Sequence, residues 1–179
     1  MTKIAVFVGS LQEKSHNLML ARAVESFMPD GFEFEYIDIR MPLFNQDLEA
    51  AVSEEVTRAK QKVEEADGVL FVTPEYNRSI PGVLKNAIDW ISRPYGANSF
   101  AGKRVGTIGA STSVMGTIMA QSHLHHTLAY LDTRQLNQPE VYVANAGSIF
   151  NEGQLIDERW EKNLKVYVEA FVKWVTSEE

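Results

Sequence analysis

Short, uninterrupted apolar runs alternate along the chain with amphipathic helical patterns, and this order constrains the fold more than any other feature. Continuous apolar runs are typical of strands that are covered on both faces, as in a parallel sheet. Residues 32–39 instead alternate with a period of two, and residues 141–143 follow a proline, so both segments are expected nearer a sheet edge. The three buried strands are predicted at residues 4–8, 69–73 and 105–110.

Five amphipathic segments follow the strands, each with apolar residues three and four positions apart. Glu54 and Glu55 after Ser53 favour a helix start, and Pro81 suits the first turn of the next helix. The strict alternation implies right-handed crossovers and an α/β fold, a three-layer doubly wound sheet. Five parallel strands suit the flavodoxin-like order 2-1-3-4-5, and residues 1–179 are predicted to form a single domain. The predicted helices cover the segments 20–27, 53–66, 81–91, 116–131 and 160–174.

The composition excludes several classes of function. The 17 Lys and Arg residues against 24 Asp and Glu residues give a net charge of −7, and no basic face is apparent, so no nucleic-acid partner is expected. The chain has no cysteine, which excludes disulfide bonds, thiolate metal sites and cysteine nucleophiles. No apolar stretch is long enough to span a membrane, so no membrane partner and a cytoplasmic location are expected.

Three donor-rich loops follow neighbouring strands of the predicted sheet. In doubly wound sheets the ligand lies beyond the carboxyl ends of the strands, where the strand order reverses. The predicted order places the loops 9–17, 74–82 and 111–117 side by side at that edge. The sequence therefore predicts a ligand site built from these loops.

The first loop carries hydroxyl and amide donors at Ser10, Ser15 and Asn17, together with backbone N–H groups at a helix start. Such an arrangement can hold a phosphate. The spacing matches neither a nucleotide-triphosphate loop nor a dinucleotide fingerprint, which favours a monophosphate bound by neutral donors. A serine-capped turn without any ligand remains the alternative at this point.

The second and third loops offer groups that could hold a planar heterocycle. Prolines 74 and 81 stiffen a loop that contains Glu75, Tyr76 and Asn77, and the third loop is rich in Ser, Thr and Gly. A stiff loop presents its amides to a ligand at little cost in ordering. The alternatives are a rigid surface turn for the second loop and a simple flexible connection for the third.

Four sequence blocks make the chain resemble the NADPH-dependent FMN reductase family of flavodoxin-like proteins, which includes quinone, chromate and azo-dye reductases. The blocks are Gly9-Ser10 with Ser15 and Asn17, residues 41–47, residues 74–77 continuing into 81–90, and residues 109–111. The resemblance implies that FMN binds with its phosphate in the first loop, its isoalloxazine along the second, and the third closing the far edge. The implied cofactor-binding residues are Ser10, Gln12, Ser15, His16, Asn17, Leu18, Pro74, Glu75, Tyr76, Asn77, Ser111, Thr112, Ser113 and Gly116.

The resemblance also implies a reaction. NADPH or NADH would reduce FMN, leave, and be replaced by a small acceptor such as a quinone, azo compound, chromate or free flavin, in a ping-pong order. The flavin carries the chemistry, so no catalytic side chain is expected. Tyr76 is expected beside the flavin. For Glu75 an alternative stays open, in which its carboxylate faces solvent and only its backbone meets the flavin. A flavodoxin-like electron carrier and a nucleotide-sensing regulator are the alternative functions.

Two departures from the family pattern shape further expectations. Relatives commonly carry Arg where this chain has Gln12, and a neutral amide holds a phosphate dianion less tightly, so FMN is expected to be partly lost on purification. The resemblance implies a homodimer or homotetramer formed through the third helix and residues 121–126. Relatives tend to have Arg at position 125, so His125 argues against a charge-based tetramer contact.

The nearby His123, His125 and His126 do not share one helix face, and no metal site is expected; interface or solvent-facing histidines are the simpler interpretation. Replacing Ser15 and Asn17 by Ala is expected to weaken FMN binding while leaving the fold intact.

Overall fold

A parallel sheet runs through the middle of the molecule. The computed structural model describes residues 1–177. The strands lie in the order β2-β1-β3-β4-β5, and a further short strand, β6, also pairs with β4. The predicted order 2-1-3-4-5 is confirmed. The strands are β1 (Thr2–Val8), β2 (Phe32–Tyr36), β3 (Gly68–Val72), β4 (Arg104–Ala110), β5 (Arg134–Gln135) and β6 (Tyr142–Val143).

Helices cover both faces of the sheet because successive strand residues point to opposite sides. Ile4 and Val6 of β1 pack in one cluster with residues of α1 and α5, whereas Ala5 and Phe7 pack in a second cluster with α2, α3 and α4. This is the predicted three-layer arrangement. The helices are α1 (His16–Ser26), α2 (Glu54–Glu65), α3 (Gly82–Ile91), α4 (Ile118–Tyr130) and α5 (Glu158–Thr176). Within residues 1–177, none of the helices combines the length and apolar character needed to cross a membrane.

The edge of the sheet beyond β4 differs from the single strand predicted at residues 141–143. Two short strands, β5 and β6, pair with different parts of β4, and residues 136–141 separate them. Pro139 lies in this gap, and a proline has no N–H with which to continue a ladder. A hairpin of β7 (Phe150–Asn151) and β8 (Gln154–Leu155), and a 3-10 helix at Gln46–Ala51, were also not predicted.

One lysine holds the connection between α3 and β4 in place. The Lys60 ammonium donates hydrogen bonds to the carbonyl oxygens of Ile91 at 2.9 Å, Arg93 at 2.7 Å and Ala97 at 3.0 Å, and to Ser99 Oγ at 2.9 Å. Burial of the ammonium lowers the pKa of Lys60. The segment 91–99 is thereby attached to α2.

Candidate functional site

The three predicted loops lie together at the carboxyl ends of β1, β3 and β4. These strands are direct neighbours in the sheet, so the loops that follow them meet at one edge. A side chain at Gly9 would come within 3.1 Å of both Pro74 Cδ and Thr73 Oγ1, which shows how closely the first loop packs on the second. The structure thus brings the three predicted loops together at one edge of the sheet.

The first loop presents backbone donors at the start of α1. Ser15 is the N-cap: its Oγ accepts hydrogen bonds from the backbone N–H groups of Asn17 at 3.2 Å and Leu18 at 3.3 Å. Within residues 1–177, no protein group accepts a hydrogen bond from the backbone N–H groups of Lys14, Ser15 or His16. Free N–H groups at a helix N-terminus are suited to an anion. This donor set of neutral groups fits a phosphate monoester.

Asn17 has a different side-chain role from the one predicted. The side chain is buried, its Nδ2 donates to the carbonyl oxygen of Ala110 at 2.9 Å, and the Ala110 N–H donates to its Oδ1 at 2.9 Å. Both polar ends of the amide are therefore engaged with the end of β4. Asn17→Ala would therefore remove the partners of two buried backbone groups, which predicts a cost in stability.

Gln12, Ser10 and Leu18 line a cleft of 360 Å³ beyond the ends of β1 and β2. Gln12 is exposed, and its backbone N–H donates to Ser10 Oγ at 3.2 Å. On the opposite wall Arg40 pairs with Asp38 at 2.8 Å, and this hydrogen bonding lowers the pKa of the Asp38 carboxyl. The side chain at position 12 itself is uncharged. His16 does not line this cleft, and its ring centroid lies 6.2 Å from that of Phe150.

The second loop forms a tight two-residue hairpin. The backbones of Tyr76 and Ser79 exchange two hydrogen bonds of 3.0 Å, and the turn residues Asn77 and Arg78 have φ values of 51° and 63°. Consecutive left-handed residues of this kind are typical of type I′ turns, and asparagine tolerates them well. Pro74 is buried at the base, and Tyr76 is 49% exposed at the tip. The second loop therefore has a defined hairpin conformation between its two prolines.

The Glu75 carboxylate does not face solvent. Only 7% of its side chain is exposed, and Oε2 accepts hydrogen bonds from the backbone N–H groups of Met119 at 2.9 Å and Ala120 at 3.1 Å, in the first turn of α4. Oε1 lies 3.2 Å from Arg78 Nη1. The solvent-facing alternative for Glu75 is therefore wrong. The second loop is joined through this side chain to the helix that follows the third loop.

The third loop is braced rather than a simple flexible connection. The Ser111 N–H donates to the carbonyl oxygen of Val143 at 2.9 Å, and its hydroxyl accepts from Ser113 N–H at 3.1 Å. Gly116 has a φ of 60°, and a side chain there would come within 2.9 Å of the Tyr142 carbonyl oxygen, so glycine suits this position. Thr112 is exposed between these braces.

The three histidines of α4 contact different parts of the molecule. His123 Nδ1 lies 3.0 Å from Ser79 Oγ on the second loop, and His126 lines a groove between α3 and α4. His125 is partly buried between Thr107 and Gln135 and is hydrogen-bonded to both. In the part of the chain that the structure describes, no three His, Cys, Asp or Glu side chains converge on a common point.

Comparison with known proteins gives consistent matches over nearly the whole chain. The family model described as NADPH-dependent FMN reductase matches residues 2–148. A 2-hydroxy-1,4-benzoquinone reductase from Burkholderia sp. is 46% identical over 175 residues, which is 97% of this chain and 96% of the relative. An NAD(P)H-dependent FMN reductase from Pseudomonas aeruginosa is 39% identical, over 97% of this chain and 95% of the relative. The solved structure of FerB, a flavoenzyme NAD(P)H:(acceptor) oxidoreductase from Paracoccus denitrificans, superposes with a TM-score of 0.91 at 40% identity, covering 98% of this chain and 97% of FerB.

Proposed function

The chain belongs to the NADPH-dependent FMN reductase family, and we propose that the three loops described above are where it binds its cofactor. The protein is an FMN-dependent NAD(P)H oxidoreductase that reduces small acceptors of the quinone type. The observation that supports this placement is the convergence of three braced, donor-bearing loops at one edge of the sheet.

In the proposed site, the first loop binds the phosphate of FMN. The backbone N–H groups of Lys14, Ser15 and His16, with the hydroxyls of Ser10 and Ser15, supply neutral donors at the positive end of α1. Gln12 and Leu18 would border this group from the cleft. Asn17 would act mainly by fixing the loop to β4, since both ends of its amide are engaged there.

The remaining two loops are assigned to the ring system. Pro74, Tyr76 and Asn77 would offer a preformed edge and an aromatic side chain, and Ser111, Thr112, Ser113 and Gly116 would line the other side. When bound, FMN would supply the redox chemistry between NAD(P)H and the acceptor. The Glu75 carboxylate, held by two N–H groups and Arg78, is not placed to transfer protons. The chain's contribution is binding and orientation.

We propose that the donor and the acceptor use the site in turn. The second and third loops are braced through Glu75 and Ser111, which leaves them little freedom to widen and hold two substrates at once. Steady-state rates measured against NADH at several 1,4-benzoquinone concentrations should give parallel double-reciprocal lines. Intersecting lines would contradict the ping-pong order.

We propose that a second copy of the chain covers the face formed by α3 and α4. A groove of 740 Å³ lies between these helices, and Tyr95 and Tyr130 at its rim are 78% and 79% exposed. Exposed aromatic residues with a polar rim are typical of protein interfaces. The groove carries both charge signs, Lys85 and Asp89 among them, so the surface could be self-complementary across a two-fold axis in a homodimer or a homotetramer.

We further propose that the protein works in the cytoplasm, where its donors NADH and NADPH are made. The distribution of the protein between cell fractions, followed with an antibody, would test this location.

One experiment tests the main conclusion. The purified protein, reconstituted with FMN, should show the visible absorption of bound flavin, which NADH or NADPH should bleach and 1,4-benzoquinone should restore. A protein that neither takes up FMN nor oxidises NAD(P)H would contradict the proposed site. An electron carrier would take up FMN but would not turn over NAD(P)H.

A further inference from the structure

The strongest feature that the reaction does not explain is the contact of Glu75 with α4. Its Oε2 accepts from the backbone N–H groups at the second and third positions of that helix, at 2.9 Å and 3.1 Å. Those groups lie 44 and 45 residues away along the chain. The side chain thus spans from the end of β3 to the helix that follows β4.

The helix has no equivalent cap of its own. Thr117 at the N-cap position makes no side-chain hydrogen bond to the first turn, and that turn contains no acidic residue. The Thr117 hydroxyl instead accepts from Gln121 Nε2 at 2.9 Å. An unpaired N–H end of a helix is stabilised by an oxygen acceptor, and more so by a negative charge. Glu75 provides both from another loop.

The far side of the hairpin is attached to the same helix. Ser79 Oγ, across the turn from Tyr76, lies 3.0 Å from His123 Nδ1 of α4. Arg78, in the turn, is 3.2 Å from the second oxygen of Glu75. The hairpin is therefore held to α4 at two points, with Glu75 the more buried.

We propose that Glu75 is a positioning residue, which sets the separation between the second and third loops and so the shape of the site for the flavin ring. Its carboxylate contacts α4 and not the ligand. The inference rests on the proposed function, because it takes the ring to lie between these two loops. It predicts that the hydrogen bonds from Glu75 to α4 are needed for tight binding of FMN and not only for folding.

The test compares Glu75 with an acid that caps another helix. Asp157 Oδ1 accepts from Trp160 N–H at 2.9 Å at the start of α5, on the other face of the sheet. Glu75→Ala and Asp157→Ala each remove one cap, and both should lower the melting temperature of the apoprotein. Only Glu75→Ala should raise the FMN dissociation constant, by about tenfold if the free energy of one cap is lost from binding.

A conservative variant adds a second readout. In Glu75→Gln the amide oxygen can still accept from Met119 and Ala120, so most of the FMN affinity should return. Dissociation constants are measured by quenching of flavin fluorescence well below the melting temperature, so that unfolding does not contribute.

Three outcomes would overturn the inference. Glu75→Ala could bind FMN as tightly as the wild type while losing stability, which would make the residue a structural cap alone. Glu75→Gln could bind FMN as weakly as Glu75→Ala, which would contradict a role that depends on hydrogen bonds to α4. Failure of the wild-type protein to bind FMN would overturn the proposed site as well, so the two failures are distinguishable.

Discussion

The side chain of Asn17 binds both polar groups of the Ala110 backbone, with two hydrogen bonds of 2.9 Å across 93 residues of sequence. This single amide connects the start of α1 to the end of β4. The position of the first loop therefore depends on the position of β4. The sequence pattern could not distinguish this role, attaching the loop to the sheet, from a role in binding a ligand.

Asn17→Ala should destabilise the protein. The N–H and C=O groups of Ala110 are buried, and leaving buried polar groups unpaired costs about 1–3 kcal/mol each, so a loss of about 2–6 kcal/mol is expected for the two. Urea unfolding of the apoprotein measures this free energy. Ser15→Ala is the matched control, since it removes one helix cap and should cost only about 1 kcal/mol. Equal losses in the two variants would contradict the assigned role of Asn17.

Gln12→Arg should strengthen FMN binding. Gln12 is exposed at the first loop, and a charged hydrogen bond to phosphate is roughly twice as strong as a neutral one. A gain of about 1 kcal/mol corresponds to a dissociation constant about fivefold lower. The wild-type protein should lose part of its FMN during dialysis at high salt, and the variant should lose less. Gln154→Arg, on the β8 hairpin strand, adds the same charge away from the loops and should leave the affinity unchanged.

Tyr167→Phe should stabilise the protein at neutral pH. The Tyr167 hydroxyl is fully buried in α5, and in residues 1–177 it finds no hydrogen-bond partner. Removing an unpaired buried hydroxyl should raise the free energy of unfolding by about 1 kcal/mol, as measured in urea. A loss of stability would show that the hydroxyl has a partner.

The same residue should make stability fall at alkaline pH. Burial raises the pKa of Tyr167 in the folded state, so above about pH 10 the unfolded chain releases a proton that the folded chain retains. The free energy of unfolding then decreases by about 1.4 kcal/mol per pH unit for this group. Tyr142, whose pKa burial raises to about 12, acts in the same direction. Unfolding curves at several pH values should show a shallower decline in Tyr167→Phe.

Tyr130→Glu should dissociate the proposed oligomer. Tyr130 is 79% exposed on the groove between α3 and α4, where a buried unpaired charge would oppose association. Light scattering during gel filtration measures the mass. Val166→Glu, on the outer surface of α5, places the same charge on the other layer and should leave the mass unchanged. A monomeric wild-type protein would contradict the proposed interface.

The central sheet could be predicted because burial on both faces leaves a direct signature in the sequence. Val69 and Leu70 face opposite layers, and both must be apolar. The strands at the edge of the sheet beyond β4 have no such continuous apolar pattern. Arg134 and Gln135 form a strand only because their backbones pair with Arg104 and Val105 of β4, and their side chains are polar. Two-residue strands depend on a partner that local sequence does not specify.

The convergence of the three loops could be predicted, whereas the side-chain contacts of their polar residues could not. The loops follow from the strand order. The sequence does not show whether the side chains of Asn17 and Glu75 bind a ligand or backbone groups elsewhere in the chain. Their backbone partners are 93 and 44 residues away. One signal for Glu75 was available, because α4 begins without an acidic residue in its first turn. A helix that lacks its own cap leaves its first N–H groups free for an acceptor from elsewhere in the chain.

The ammonium of Lys60 is surrounded by three carbonyl oxygens and a hydroxyl. Backbone carbonyl oxygens are also the ligands with which proteins coordinate a potassium ion. Here the cation is the side chain of a residue of α2. It therefore cannot dissociate or be replaced by another ion. The segment 91–99, and with it the wall of the groove that carries Arg93 and Tyr95, should therefore keep its shape whatever the ionic composition around the protein.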